Sequence, residues 1–169
     1  MKLFFHFKIN EKLLLRSLVV LTLFLASCSS AKKATVRQGK VDKVISTARS
    51  YIGTPYRYGG TTRSGMDCSG LLINSFTAID VPLPRSSAAQ SKVGKEVKKM
   101  GDLEPGDLVF FATGKRKRKV THVGLVTDVR SRKDVKFIHA SSSLGVVETN
   151  IHAEYYEKRF RGARRVIEE

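Results

Sequence analysis

The apolar positions of this chain change period about half-way along. Val41, Val44, Ile45, Ala48, Tyr51 and Ile52 recur at three- and four-residue intervals, the spacing of one helix face. Gly and Pro in "GTPYRYGG" end that helix in an extended or turning segment, and "TTRSGMD" reads as a loop. From Cys68 onward, Leu71, Leu72, Ser75, Phe76 and Ile79 give a second helical face, with Asp67 where an N-cap belongs. "VPLPR" breaks that helix, and "SSAAQSK" predicts a short third one. Strand-like apolar runs follow: "LVFFA", "THVGLVTDV", "VKFIHAS", "GVVET" and "RFRGARRVI". Helices first and strands after predict an α+β domain whose central antiparallel sheet of about five strands is made by neighbouring connections. "LEPGD" is a turn, and "TGKRKRKV" is the loop of a hairpin between two of the strands.

The N-terminus has a different pattern. Lys2, Lys8, Lys12 and Arg16 precede the apolar run "SLVVLTLFLA", which is short for a membrane span. The run ends in small residues, and Leu25-Ala26-Ser27-Cys28 resembles a bacterial lipobox. In that class of signal the cysteine is lipidated and becomes the first mature residue. Residues 1–27 are therefore expected to be a lipoprotein signal peptide. Residues 28–39, small, polar and basic, are expected to be a lipid-anchored tether, and 40–169 the folded domain. The expected location is the cell envelope, held by lipid at Cys28. Ser29 is not the Asp that commonly retains lipoproteins in an inner membrane, so in a cell with two membranes the outer one, on its periplasmic side, is expected.

Charge adds a constraint. The chain holds 31 Lys and Arg against 15 Asp and Glu, a formal charge of +16. Removing residues 1–27 takes away four cations and one acid, which leaves 27 against 14, or +13. Such a balance points to an anionic partner or surface. Lys115, Arg116, Lys117, Arg118 and Lys119 form its densest run. That run is either a solvated hairpin tip or a contact with anionic envelope polymers. Nucleic acid fits poorly with an exported chain whose basic run lacks interleaved aromatics.

Of the two cysteines, lipidation of Cys28 would leave Cys68 alone. A Cys28–Cys68 disulfide is the rival use, but it would tie the domain to a polar tail and gain little. Cys68 is predicted at the first turn of a helix, where unpaired N–H groups and the positive dipole end favour an anion such as a thiolate. Asp67 alone would act the other way, so its expected work is to cap the helix or to hold a substrate amine. A cysteine nucleophile needs a base and a third group to orient it. His122 and His139 lie in successive predicted strands, so pairing of those strands would bring their imidazoles together. His152 follows in a turn or helix start. Each residue also has an ordinary reading, as a buried thiol or a hydrogen-bonded strand histidine. A Cys/His/His zinc site is a competing constellation, without the tight ligand spacing of common sites.

Five stretches in order, "GTPYRYGG…GMDCSGL", "LPRSSAAQ", "LEPGDLVFF", "HVGLV" and "FIHASSSLGV", resemble the NlpC-type cell-wall cysteine peptidases. The resemblance runs from about Val41 to the C-terminus and implies a papain-like α+β fold, with the N-terminal helices packed on the sheet. It also implies roles. Cys68 matches the nucleophile, His122 the base and His139 the residue that orients it. Tyr56 matches a tyrosine near the nucleophile whose hydroxyl would help the Cys68 N–H stabilise an oxyanion. Asp67, Ser69 and Arg85 match residues that line the cleft. The implied partner is peptidoglycan, cut in its stem peptides or cross-links without metal or organic cofactor. A non-catalytic lipoprotein that binds stem peptides is the alternative, although it would have no need of all three of Cys68, His122 and His139.

Overall fold

A computed structural model describes residues 32–168. The expectations for the signal peptide and for Cys28 lie outside the described residues. The first helix, α1, covers residues 32–49, and its residues from Arg37 on belong to a compact unit, Arg37–Glu168. The polar tether was expected to reach residue 39, yet 32–39 are helical. Arg37 explains part of this, since its guanidinium bonds Ile167 O at 3.1 Å and Glu104 at 3.0 Å, partners no local pattern shows. Val41, Val44, Ile45 and Ala48 are buried as their spacing predicts, but Tyr51 and Ile52 fall in the turn after the helix.

The segment read as a loop is a small hairpin, β1 (Thr61–Thr62) with β2 (Gly65–Met66). The helix α2 (Cys68–Thr77) follows, and Asp67 caps it by accepting from Gly70 N. Gly70 is the residue that lets α2 lie against the hairpin: a Cβ there would stand 2.3 Å from Gly60 O. The short third helix is α3 (Ser87–Gln90).

The strands are β3 (Lys95–Val97), β4 (Leu108–Phe111), β5 (His122–Ser131), β6 (Asp134–Ser141), β7 (Gly145–Asn150) and β8 (Phe160–Arg165), with a last short helix α4 (Glu154–Glu157) before β8. Among the described residues they form a six-stranded sheet in the order β3-β8-β4-β5-β6-β7, and every pairing is antiparallel. The sequence predicts about five. The sixth, β3, is a three-residue edge strand with one buried residue, too short and too charged to carry an apolar signal. The connections are neighbouring only from β4 to β7. β8 returns to the far side of β4 and lies between it and β3.

Alternation along the strands builds two cores. Leu108 and Phe110 of β4 face one side, where they meet Leu71, Leu72 and Phe76 of α2 and Val44 and Ala48 of α1. Val109 and Phe111 face the other side, with Val126, Phe137, Ile151 and Ala163. This explains why "LVFF" reads as a continuous apolar run: β4 is buried on both faces. In the "LEPGD" turn, Asp107 is fully buried and accepts from Arg165 Nε and Nη2 at 2.8 and 2.9 Å.

Candidate active site

Cys68 stands at the start of α2 as a free, buried thiol. The backbone N–H of Val123 is directed at its sulfur, together with those of Ser69 and Cys68 itself. Val123 follows His122 directly, so that contact brings the first residue of β5 to the thiol. Cys68 and His122 line one pocket with Tyr56, Thr121 and residues 141–144.

The two imidazoles meet as strand pairing requires. Leu125 faces Ile138 across β5 and β6, which sets His139 diagonal to His122. His122 Nε2 lies 3.1 Å from His139 Nδ1, with the rings nearly perpendicular. Gly124 makes room for this arrangement. A Cβ there would stand 2.5 Å from the Phe137 ring, and that ring stacks on His139 with centroids 4.7 Å apart. His139 is fully buried, while His122 is half-buried with an edge on the pocket. The sequence reading missed two neighbours. His139 Nε2 lies 3.1 Å from Thr149 Oγ1 and 3.3 Å from Tyr156 Oη. Pairing "FIHAS" with "GVVET" about their short turn would have found Thr149, because the register sets it opposite Phe137 on the face that carries His139.

Burial governs protonation here. It lowers His122 to about 4. It lowers His139 to about 3, with the neighbouring His122 adding to the effect. Burial also pushes the Cys68 thiol up, against the pull of the surrounding N–H groups, and the Asp67 charge adds to the rise. The helix start was expected to lower this thiol. It does pull that way, but desolvation is the larger effect. At neutral pH the resting site is therefore a thiol beside two neutral imidazoles, in which His122 is a proton acceptor.

These histidines make stability depend on pH in a definite direction. An unfolded imidazole takes up its proton near pH 6.5, whereas the folded ones wait until about 4 and about 3. Between those limits the unfolded chain binds more protons, so stability falls as pH falls. The expected loss from pH 7 to pH 4.5 is on the order of a few kcal/mol, read from urea midpoints. The lowered Asp67 carboxyl adds to the loss only below its ordinary value of 3.8. His139→Gln, which removes one titration, should flatten the profile. A midpoint that holds constant down to pH 4.5 in the wild type contradicts the buried neutral pair.

A second pocket opens on the other side of Cys68. It shares Tyr56 and Thr121 with the first and adds Asp67, Ser69, Arg85 and Lys119. Asp67 Oδ1 accepts from Gly70 N at 2.7 Å, Ser69 Oγ at 3.0 Å and Arg85 Nη1 at 3.0 Å. Its Oδ2 accepts from Arg85 Nη2 at 2.7 Å and Gly59 N at 2.9 Å. Arg85 Nη1 also donates to Ser69 Oγ at 2.8 Å. Burial alone would raise the Asp67 carboxyl, but the Arg85, Gly70 and Ser69 bonds together hold it below the usual range. Five donors saturate this carboxylate. Of the two expected tasks, Asp67 performs the capping one, and it has no lone pair left for a substrate amine in this arrangement.

Tyr56 borders both pockets, and burial, then the nearby Cys68 and Asp67, raise its hydroxyl pKa, so it stands as a neutral donor beside the sulfur. His152 is elsewhere, paired with Glu157 at 2.8 Å. Residues 115–119 form the exposed connection between β4 and β5, and Lys119 reaches the second pocket. Among the described residues no cluster of three or more His, Cys, Asp or Glu is placed to hold a metal ion. Nor is any described helix long and apolar enough to cross a membrane.

Known proteins resemble this chain over most of its length. The probable endopeptidase NlpC of Escherichia coli strain K12 is 38% identical over 156 residues, which cover 88% of this chain and 97% of that protein. The murein DD-endopeptidase MepS/murein LD-carboxypeptidase of the same strain is 36% identical over 126 residues, or 74% of this chain and 62% of that one. Among solved structures, an NlpC/P60 family protein from Bacillus cereus superposes with a TM-score of 0.68 at 31% identity, over 76% of this chain and 40% of that one. Residues 53–165 match the NlpC/P60 family as a whole, and this span holds every cleft residue named above. With the helices, the antiparallel sheet and the cleft in agreement with that match, the chain belongs to the NlpC/P60 family.

Proposed function

We propose that this protein is a peptidoglycan endopeptidase that hydrolyses amide bonds of stem peptides or cross-links through Cys68, His122 and His139. The observation that carries the reading is that one free thiol and the His122 imidazole line one pocket, with His139 bonded to His122 behind it. Relatives named as an endopeptidase and a murein endopeptidase support the substrate class.

The chemistry follows from the resting protonation. His122 Nε2 is taken by His139, so Nδ1 is the nitrogen left for Cys68. The thiol gives its proton to Nδ1 as the sulfur attacks the amide carbonyl, and a C–S bond forms. The oxyanion is held by the Cys68 N–H and the Tyr56 hydroxyl. The His122 imidazolium then protonates the leaving amine as the C–N bond breaks. Water, deprotonated by His122, attacks the thioester, and the C–S bond breaks to restore the thiol. Arg85, fixed by Asp67 and Ser69, borders the substrate on the other side of the thiol. Residues 115–119 are exposed, Lys119 lines that second pocket, and these cations would meet anionic polymer around the substrate.

The test is digestion of purified sacculi, with the new termini identified by mass spectrometry. New peptide termini that Cys68→Ala does not produce are expected. Binding of stem peptides without any cleavage would instead make the protein a recognition module.

We also propose that lipid at Cys28 holds the enzyme to the envelope, on the periplasmic side of the outer membrane in a cell with two membranes. The "LASC" stretch after a short apolar run motivates this. Cys28→Ser should move the protein out of the mature membrane-bound form, and labelled palmitate should no longer enter it. Unchanged fractionation and labelling would rule out Cys28 as the lipid site.

A further inference from the structure

His139 has a ring nitrogen on each side of a hydrogen-bond chain. Nδ1 faces His122 Nε2 at 3.1 Å, and Nε2 faces Thr149 Oγ1 at 3.1 Å and Tyr156 Oη at 3.3 Å. His139 is 1% exposed, so water does not substitute for these partners. Each neutral imidazole carries one proton, and only one proton fits between the two rings. The pair therefore has two arrangements. In the first, His122 Nε2–H donates to His139 Nδ1, and His139 Nε2–H donates to a hydroxyl. In the second, His139 Nδ1–H donates to His122 Nε2, and His139 Nε2 accepts from a hydroxyl.

Only the first arrangement leaves His122 Nδ1 without a proton. The second puts a proton on the one nitrogen that would receive the thiol's. Once His122 is charged, both of its nitrogens carry protons, so His139 Nδ1 must accept and its Nε2–H needs an acceptor beyond it. Thr149 and Tyr156 supply that acceptor.

We propose that the Thr149 and Tyr156 hydroxyls are positioning residues that accept from His139 Nε2–H and so hold the histidine pair in the tautomer that frees His122 Nδ1. The inference deepens the endopeptidase reading and, in its catalytic consequence, rests on it. Thr149 lines neither pocket, and Tyr156, which borders the first, is bonded to His139. They act through two imidazoles.

Loss of both hydroxyls would leave His139 Nε2 facing nothing in either arrangement. A buried N–H without a partner is less tolerated than a buried acceptor without one. The pair is thereby driven toward the second arrangement. Thr149→Val keeps the shape of the side chain and removes only the hydroxyl, and Tyr156→Phe does the same at its site.

The experiment combines imidazole 15N NMR on the full-length protein with hydrolysis kinetics. The chain has four histidines, so the resonances can be assigned by substitution. In the wild type and in Thr149→Ser, both His122 and His139 should show the proton on Nε2. In Thr149→Val with Tyr156→Phe, both should shift toward Nδ1–H, and kcat should fall by about a hundredfold with KM unchanged, within the range for general-base catalysis. Thr149→Val alone should show a smaller fall, about tenfold, and Thr149→Ser should restore activity. If the double variant is poorly folded, the Val and Ser single variants carry the comparison. A wild type that already holds Nδ1–H on His122 overturns the inference, as does a folded double variant whose tautomers stay unchanged. The NMR result does not depend on the reaction. Expected tautomers in a wild type that cuts no sacculi would sink the endopeptidase reading and leave the positioning role standing.

Discussion

Cys68→Ala is expected to abolish wall hydrolysis while the domain stays folded. The sulfur lies at the junction of two pockets, with three backbone N–H groups directed at it. It is the one free thiol among the described residues, and it shares its pocket with His122. Removing a covalent nucleophile normally leaves only the residual rate that binding and oxyanion contacts supply, a loss on the order of 10⁴-fold or more. The structural effect is small by comparison. One buried sulfur is lost from the first turn of α2, which costs about 1 kcal/mol of packing. Asp67, Gly70 and the Arg85 network that fix the helix start are untouched. A urea midpoint close to wild type with no release of new termini is the expected pair of results. Residual turnover above about a hundredth of wild type would remove Cys68 from the nucleophile role.

The second large effect separates the two histidines. His122 borders the pocket, whereas His139 is buried behind it and bonded to His122. A base transfers the proton itself, so His122→Asn should be nearly inactive, with a loss of about 10³-fold or more. Asn in place of His139 keeps both functions in reduced form. Its amide oxygen accepts from His122 Nε2–H, and its amide N–H₂ donates toward Thr149 and Tyr156. His139→Asn should therefore retain measurable hydrolysis, some tens of times slower than wild type. Turnover of the two variants, measured side by side with thiol alkylation rates, decides the assignment. Because the resting thiol is protonated, alkylation of Cys68 should slow when His122 is absent. The roles are reversed if His122→Asn is the more active enzyme, and unsupported if Cys68 alkylates at the wild-type rate without His122.

Much of the site is legible in the sequence. The N-cap at Asp67, the helix that begins at Cys68 and the pairing of the "HVGLV" and "FIHAS" strands are local features. Period, capping chemistry and turn residues act over a few positions and are written in order along the chain. The same holds for the five strands β4 to β8 and for the short helix after Arg85. Those elements were sufficient to bring His122 and His139 together, because antiparallel neighbours meet with a register set by a short turn.

What the tertiary structure alone decided involves partners far apart in sequence and the dielectric they create together. β3 exists because β8 returns to the edge of β4 and offers it a ladder, not because "KEV" favours a strand. The extra turns of α1 are accompanied by Arg37 bonds to residues 67 and 130 positions away. The cleft aspartate was expected to cap a helix or to bind an amine. Five convergent donors, three of them from Gly59 and Arg85, settle it as a cap in this arrangement. Protonation changed most. A helix start lowers a thiol pKa when the thiol is solvated, but packing against both sheet and helix desolvates Cys68, and burial then outweighs the nearby N–H groups. Spacing along a chain specifies which groups meet, while the burial that sets their charge is a property of everything packed around them.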